Sequence, residues 1–267
     1  MEELGPVSVR PVATDTEGLL SFVPIPGLGV LAINAFLIRS AQPVLVDTGL
    51  IAMREQFMDR LRAAIPLQEL AWLFLTHTDP DHIGSIAQVL AEAPRARVIT
   101  NYVGMAKLDL HRLPIDRVYL LNPDQRLDIG DRELLAVRPP AFDAPETTAV
   151  LDTKTGNLFS ADCYGALLSA PVAAAETVAP EALRDGLRTW ATVDMPWLMV
   201  ADRERFAASV DAFRRLDPQM VLSAHLPPAK GIIEPLSEYL TSALSMPGFV
   251  GPDQAAPEQM LAAGGER

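Results

Sequence analysis

The sequence predicts a domain of the mixed α/β (α+β) class, arranged as an αββα sandwich in which two sheets lie between outer helices. Strand-like and helical stretches follow one another along the chain, and the sequence contains no internal repeat. Hydrophobic residues make up 49% of the 267 residues and charged residues 21%, as in globular proteins with a substantial core. We expect this domain to cover residues 1–246, and residues 247–267, rich in Gly, Pro and Ala, to form a flexible C-terminal tail.

Charge and cysteine content exclude several classes of protein. The formal net charge is −12 and the sequence has no basic cluster, so no nucleic-acid partner is expected, because phosphate binding needs concentrated Lys and Arg. No apolar run reaches the ~18 residues that a membrane span requires. Residues 1–6 lack the basic and apolar regions of a signal peptide, and the single cysteine, Cys163, excludes an internal disulfide framework. We therefore expect a cytoplasmic protein.

In the first half of the chain, strands are expected to be mixed with three helices. Alternation of apolar and polar residues predicts the first strands within residues 7–23, and a loop rich in Pro and Gly at residues 24–29 is expected to overhang a site. Apolar residues at helical spacing from Met53 to Ile65 predict a helix. The further strands expected here are residues 30–38, 43–49, 70–75, 97–100 and 117–121, and the helices are residues 52–64, 86–93 and 101–110.

The second half contains two predicted hairpins and three predicted helices. Gly130 marks the turn of a hairpin within residues 125–139, and a second hairpin joins residues 147–151 to residues 157–160. The apolar segment 194–200 is expected to line an entrance or an oligomer interface. The helices are expected at residues 181–191, 202–216 and 232–244, with one more strand at residues 219–223.

Four side chains able to bind a metal follow the strand at residues 70–75 within six positions: His77, Asp79, Asp81 and His82. Alternate residues of an extended segment point the same way, so the first three can converge on one face. His82 can turn in from the start of the following helix. The alternative is a polar turn that caps this helix through Asp79 or Ser85, but two His and two Asp this close together favour a metal site.

Residues 76–84, Thr-His-Thr-Asp-Pro-Asp-His-Ile-Gly, resemble the His-x-His-x-Asp-His signature of the metallo-β-lactamase superfamily, with Asp79 in place of the second His. Flavodiiron proteins and related diiron oxygen-binding proteins also carry a carboxylate there, normally Glu. The hairpin of residues 34–38 and 44–49 resembles the opening motif of the superfamily, which implies that Asp47 supports the metal loop from behind. The alternative for Asp47 is a turn-opening residue bonded to its own backbone.

The resemblance covers residues 8–245 and implies the metallo-β-lactamase fold with further ligands downstream. Residues 138–147 contain no His, and matching Pro145 to the flavodiiron pattern places Asp143 at the ligand position; Asp143 could instead open a turn. Residues 160–165 resemble the segment that supplies the bridging aspartate, here Asp162. His225 stands where the superfamily closes its second metal site, although Leu226 replaces the usual Gly.

Three further residues are considered for a role in the site. Tyr164 either reaches the open coordination face, as a catalytic residue beside Asp81 and Asp162, or packs in the core. Cys163 is expected to be a small packed residue rather than a ligand. His111 follows a helical pattern and is assigned no role in the site.

The implied ligand set is rich in carboxylates. Site 1 would consist of His77, Asp79 and Asp143, site 2 of Asp81, His82 and His225, and Asp162 would bridge them. Zinc prefers nitrogen and sulfur ligands, whereas sets rich in oxygen favour iron or manganese. We expect two divalent metal ions, with iron favoured and manganese or zinc as alternatives.

Three functions are compatible with this ligand set. The first is a non-haem diiron protein that binds or reduces O2 or NO, or oxidises a small substrate. The sequence contains neither a flavodoxin domain nor a rubredoxin Cys cluster, so electrons would come from a separate donor protein. The second is a metal-dependent hydrolase of an ester, lactone, thioester or phosphoester. The third is a non-catalytic sensor module with a degenerate site. A small-molecule ligand and a homodimer are the other expected partners.

Overall fold

The computed structural model describes residues 4–255 and residue 258. Its strands are short, apart from two that run for ten residues each at the start of the chain. The strands described are β1 (Ser8–Ala13), β2 (Thr16–Ile25), β3 (Gly29–Ile38), β4 (Val44–Val46), β5 (Trp72–Phe74), β6 (Arg97–Thr100), β7 (Val118–Leu120), β8 (Arg126–Asp128), β9 (Glu133–Val137), β10 (Ala149–Asp152), β11 (Asn157–Phe159), β12 (Leu167–Leu168), β13 (Met220–Leu222) and β14 (Ala229–Lys230).

Between residues 4 and 246, the α-helices fall into two groups of three, one in each half of the chain. They are α1 (Arg54–Ala64), α2 (Ile86–Glu92), α3 (Tyr102–Leu110), α4 (Pro180–Asp194), α5 (Arg203–Arg214) and α6 (Ile233–Ser242). None of the helices within the described residues is both long and apolar enough to cross a membrane.

The strands form two sheets. In the first, β1 to β7 lie in chain order, and β12 pairs with the beginning of β3. In the second, the order is β14, β13, β11, β10, β9 and β8. Strands β4 to β7 are parallel to one another, as are β11 and β13, while the remaining pairs are antiparallel. Because parallel strands need long crossover connections, α1, α2 and α3 each join two strands of the first sheet.

Alternation along the strands divides the core into layers. Phe36 and Val46 point to the interior between the sheets, where they pack with Phe159 of the second sheet. Their neighbours Leu37 and Leu45 point the other way, toward the face covered by α1 and α2. The opposite face of the second sheet packs against α4, α5 and α6. The predicted αββα sandwich of the metallo-β-lactamase fold is thus confirmed.

Most predicted elements are present with ends shifted by a few residues. Two predicted elements differ in extent from those in the structure. The loop expected at residues 24–29 is only a short turn, because β2 continues through Pro24 to Ile25 and β3 begins at Gly29. The helix expected to end at residue 191 continues for one more turn, to Asp194.

The boundary at residue 246 and the flexible tail at residues 247–267 stay predictions. Within the described part of that tail, the amide of Phe249 donates to the carbonyl of Thr192 at 3.2 Å. Residues 256–257 and 259–267 lie outside the described residues.

The topology brings several loops to one edge of the sandwich. The loops after β4 and β5 start at the same edge because these strands are parallel, and the same holds for the loops after β11 and β13. The loop after β9 reaches this edge too, since β9 and β11 are both antiparallel to β10. Ligands in folds of this kind bind at the carboxyl ends of the strands, so this edge is the expected place for a site.

Candidate metal centre

Buried histidines and aspartates gather at this edge. Each belongs to a loop that follows one of the strands named above, so the backbone of a strand end holds its position. His77, His82 and Asp162 are at most 2% exposed, and so is His225. Asp143 and Asp81 keep 15% and 24% of their side-chain surface exposed, so the centre opens to solvent on their side.

The loop after β5 is fixed by close contact with the loop after β4. The amide of Gly84 donates to the carbonyl of Gly49 at 2.9 Å. A Cβ on Gly84 would lie 2.3 Å from that same oxygen, so no larger residue fits without moving the backbone. Ser85 occupies the position before α2 but makes no side-chain capping bond, so the alternative of a simple helix-capping turn does not describe this loop.

All three histidines turn their Nε2 atoms toward the centre because their Nδ1 atoms are engaged elsewhere. His82 Nδ1 lies 2.9 Å from Asp47 Oδ2, and His225 Nδ1 lies 2.8 Å from the carbonyl oxygen of Ala32. His77 Nδ1 lies 3.2 Å from Thr76 Oγ1. With an acceptor at Nδ1, the proton resides there and the Nε2 lone pair is free to bind a cation.

Asp47 lies behind the centre, where its carboxylate binds the loop after β5. Its Oδ1 accepts from the amide of Thr76 and its Oδ2 from the hydroxyl of the same residue, both at 2.8 Å. Asp47 itself has a φ of 60°, an uncommon conformation for a residue other than Gly. The alternative of a carboxylate bonded to its own turn is therefore not what the structure contains.

The two oxygens of Asp162 face different histidines. Oδ2 lies 3.4 Å from His77 Nε2. Oδ1 lies 3.1 Å from His82 Nε2 and 3.3 Å from His225 Nε2. Asp162 thus presents one oxygen to each of two halves of the cluster, which lie close together, since one ligand atom each of His77, His82 and Asp162 is within 4.8 Å of the others.

Each half coincides with one of the two predicted ligand sets. One candidate ligand atom each from His77, Asp79 and Asp143 lies within 4.8 Å of the others, and the same is true of Asp81, His82 and His225. Asp143 Oδ1 accepts from Thr147 Oγ1 at 3.3 Å, while its Oδ2 lies 3.8 Å from His77 Nε2. Asp143 therefore faces the cluster with one oxygen, rather than serving its local turn alone.

Three residues near the cluster take no part in it. Tyr164 is 1% exposed, its hydroxyl lies 3.0 Å from Ser237 Oγ, and its ring packs against Phe213, so the structure places it in the core and a catalytic role is not supported. Cys163 is fully buried in the same apolar cluster, and burial raises its pKa, as expected of a packed thiol. His111 is exposed at the end of α3.

Asp194 is the acid that the sequence-based prediction missed. It is the last residue of α4, and one of its oxygens lies within 4.8 Å of oxygens of Asp143 and Asp162. A signal was available, since Asp194 continues the apolar stripe formed by Leu187 and Trp190 at helical spacing. An acid on the buried face of a helix needs a partner. Because the predicted helix ends at residue 191, Asp194 was not placed on that face.

Glu146 is a second buried acid that was not predicted from the sequence, and it supports the loop after β5. It is 1% exposed, and its Oε1 accepts from Thr78 Oγ1 and from Lys107 Nζ, both at 2.7 Å. Burial opposes its ionisation, but these two bonds lower its pKa below the ordinary value. Glu146 thus fixes Thr78, between the two candidate ligands His77 and Asp79.

The charges of the cluster are strongly linked. Burial opposes protonation of His225, but Asp162 and Asp81 raise its pKa to about 9. Burial likewise opposes protonation of His82, whose pKa is nevertheless raised by Asp81, Asp162 and Asp47. Burial and the neighbouring carboxylate of Asp162 raise the pKa of Asp194 to about 8. Burial would raise the pKa of Asp162, but the surrounding histidines lower it well below its usual range.

The donor set fits a pair of cations. Three buried atoms that face the centre have no hydrogen-bond partner among the described residues: His77 Nε2, His82 Nε2 and Asp162 Oδ1. Buried polar atoms are nearly always paired, so three such atoms at one point indicate a missing partner that accepts lone pairs. A divalent metal ion meets that need and offsets the repulsion among the carboxylates.

Residues 31–225 match the sequence model of a family described as ODP family beta lactamase. Diflavin flavoprotein A 1 of Synechocystis sp. is 33% identical over 135 residues, which are 49% of this chain and 23% of that protein. The anaerobic nitric oxide reductase flavorubredoxin of Pectobacterium atrosepticum is 25% identical over 134 residues, 49% of this chain and 26% of that protein. The matched segment spans about a quarter of the length of either relative.

A solved structure shares the fold over most of this chain. A flavodiiron core from Synechocystis sp. PCC6803 superposes with a TM-score of 0.72 at 19% identity. The superposition covers 91% of this chain and 62% of that one. This similarity extends the agreement in fold well beyond the segment aligned by sequence.

Proposed function

The chain belongs to the family described as ODP family beta lactamase, and from this premise we propose that it is a non-haem diiron protein that binds or reduces O2 or NO. The observation that carries the proposal is the placement of Asp162, whose two oxygens face two separate sets of donors. A carboxylate in this position can hold two cations close together. Every other candidate ligand belongs to one set or the other.

The chemistry of the donors favours iron or manganese over zinc. The two sets and their bridge provide three imidazoles and four carboxylates. Carboxylates are hard ligands and stabilise the higher charge of oxidised iron, whereas zinc sites are usually richer in nitrogen or sulfur. A pair of iron ions would supply the electrons and open coordination positions needed for reaction with O2 or NO.

The protein's own contribution is to hold the donors rigidly in the correct protonation state. Asp47 keeps the Nδ1 proton of His82 in place, and the carbonyl of Ala32 does the same for His225. Both rings are at most 2% exposed, so water competes little for their Nε2 atoms. Fixed ligands lower the reorganisation needed when the charge of the centre changes.

A cleft at the surface borders Asp79, one of the candidate ligands of site 1. It has a volume of about 570 Å³, and its wall includes Asp79 and Thr78 from the loop after β5. Ile51, Ile83 and Leu110 provide an apolar lining on the same cleft. Small apolar molecules such as O2 and NO fit such an entrance, and we assign it as the route of the small-molecule ligand.

We further propose that a separate protein donates electrons and that the chain works in the cytoplasm as a homodimer. The names of the relatives, a diflavin flavoprotein and a flavorubredoxin, support an electron-transfer setting for the shared segment. The apolar residues Met199 and Val200 are 57% and 79% exposed, which makes their short 3₁₀ helix a candidate for the contact between copies.

The function is tested in a stopped-flow instrument. Protein is loaded anaerobically with ferrous iron, reduced with dithionite and freed of the excess reductant. It is then mixed with O2 or NO. We expect rapid loss of dissolved O2 or NO and a matching absorbance change in the wild type. The Asp162→Ala variant should show neither, and Asp109→Ala, an exposed control on α3, should behave as wild type. A wild type that consumes neither gas, but hydrolyses esters or lactones when loaded with zinc, would overturn the proposal.

A further inference from the structure

Asp194 faces the candidate centre from an element that supplies none of the other candidate ligands. The other acids and histidines belong to loops at the strand ends, whereas Asp194 is the last residue of the 15-residue helix α4. One of its oxygens lies within 4.8 Å of oxygens from Asp143 and Asp162. Asp143 also belongs to the set with His77 and Asp79, so Asp194 adjoins site 1.

The position of Asp194 is unfavourable for a carboxylate without a cation. Its Oδ2 is buried and makes no hydrogen bond to any residue that the structure describes. The carboxyl end of a helix carries a partial negative charge, and the last turn of α4 contains no basic residue to offset it. Two further carboxylates, those of Asp143 and Asp162, stand beside it.

A second observation points to a cation at the same place. Asp162 is 2% exposed, and its Oδ1, which faces His82 and His225 at site 2, lacks a hydrogen-bond partner in the described part of the chain. His77 is fully buried, and its Nε2, 3.4 Å from Asp162 Oδ2, lacks one as well. His77 and Asp194 both adjoin Asp143 and Asp162, and a metal ion at site 1 would satisfy the lone pairs of His77 Nε2 and Asp194 Oδ2.

The helix holds Asp194 firmly in this position. One turn earlier, the ring of Trp190 packs on His225 with a centroid distance of 4.8 Å. Further back, a Cβ on Gly186 would lie 2.1 Å from the carbonyl oxygen of Leu167, so α4 lies as close to β12 as a backbone allows. A helix fixed at two points cannot carry Asp194 away from its neighbouring acids without disturbing the core.

We propose that Asp194 is an additional oxygen ligand of site 1, which it joins from α4 beside Asp143 and Asp162. The inference rests on the proposed dinuclear centre. With Asp194, five carboxylates surround the centre and carry one more negative charge than two divalent cations neutralise. Such a set selects hard cations, manganese(II) and iron, and disfavours zinc relative to a site without Asp194.

The test uses Asp194→Asn, which keeps the size of the side chain and removes its charge, with Asp185→Asn as matched control. Asp185 lies on the same helix, has 63% of its side chain exposed and pairs with Arg184. Manganese(II) and zinc(II) binding are measured by equilibrium dialysis with elemental analysis. We expect wild type and Asp185→Asn to bind two manganese ions. In Asp194→Asn the Kd of one manganese ion should rise by at least about tenfold, with a smaller change for zinc.

Thermal unfolding separates ligation from a structural role. Without metal, Asp194→Asn should unfold at the wild-type temperature or higher, because Asp194 Oδ2 makes no hydrogen bond that the substitution could break. The rise in Tm on adding manganese should be smaller than in the wild type. Equal manganese affinity in Asp194→Asn and Asp185→Asn overturns the role of Asp194 and leaves the dinuclear site intact. A lower Tm without metal, with an unchanged metal-induced rise, also overturns it. A wild type that binds fewer than two ions overturns both proposals.

Discussion

Asp162 is the residue on which the proposed centre depends most. It lies beside all three buried histidines, and its pKa is well below the ordinary value because they outweigh the effect of burial. The carboxylate is therefore ionised over the whole physiological range and ready to bind metal. Without Asp162, the ligands of site 1 or of site 2 would each hold one cation, and nothing would fix the distance between the two cations.

Replacing Asp162 with Ala should therefore remove both metals together. The remaining donors lose their shared anion, and the two cations would repel each other without a bridge. Elemental analysis of protein purified anaerobically measures the loss, with Asp109→Ala as the exposed control. One full equivalent of metal retained in Asp162→Ala would show that this carboxylate is not a bridge.

His225 predicts how metal binding depends on pH. In the metal-free protein Asp162 and Asp81 outweigh burial and raise its pKa to about 9, so the ring is protonated at neutral pH. A metal ion must displace that proton, and affinity should rise with pH until about 9 and then level off. Calorimetry at pH 7 in two buffers of different ionisation enthalpy should detect proton release.

The same shift affects the stability of the metal-free protein with a definite sign. A raised pKa in the folded state means that the charged pairs of His225 stabilise the fold below its ordinary pKa of about 6.5. That contribution is lost as pH rises through about 9.

In the calorimetric experiment, the His111→Ala variant, which alters an exposed ring, should release as many protons on binding metal as the wild type does. A wild type that releases none would contradict the charge state assigned to His225.

At the scale of elements, the centre depends on contacts between loops of different strands. The loop after β4 supports the loop after β5 through Asp47, which accepts from Thr76 twice and pairs with His82 Nδ1. One side chain, that of Asp47, thus fixes both ends of the segment from Thr76 to His82. It also explains the positive φ of Asp47, since local strain is tolerated where surrounding contacts determine the conformation.

Asp47→Asn should weaken metal binding without removing a ligand. The amide can accept through only one oxygen. If its NH2 group takes the place of Oδ2, His82 Nδ1 and the hydroxyl of Thr76 both lose their acceptor; if it takes the place of Oδ1, the amide of Thr76 does, so the support of the metal loop is weakened in either orientation. Loss of such a supporting group typically costs 10–100-fold in metal affinity, and we expect a change of that order at site 2. Metal titration, with Asp109→Asn as the control, measures it. Wild-type affinity in Asp47→Asn would show that the ring is oriented by packing alone.

The elements also show what sequence patterns can and cannot predict. The loop residues from His77 to His82 were predictable because their ligand types are adjacent in sequence. The pairing of β12 with the start of β3 was not, because it joins residues more than a hundred positions apart through only two pairs. Asp194 was missed for a related reason, since its neighbours Asp143 and Asp162 are brought to α4 only by the packed fold.

At the scale of the whole molecule, the sandwich gathers one edge of both sheets into a single site. The αββα fold was predictable because alternation along β3 and β4 and the helical stripes agree with each other. The two readings of Tyr164 could be decided only by packing, which places its hydroxyl against Ser237 on α6. Membership of the family accounts for the shared fold, within which Asp79 and Asp143 lie beside His77.

In the proposed function, this fold holds two iron ions bridged by Asp162. The most direct test is Mössbauer spectroscopy combined with iron analysis, on protein produced with ⁵⁷Fe and purified anaerobically. We expect two iron ions per chain that are high-spin ferrous when reduced and form a coupled, diamagnetic pair after oxidation. Two zinc ions, a single isolated iron, or two iron ions without coupling would contradict it.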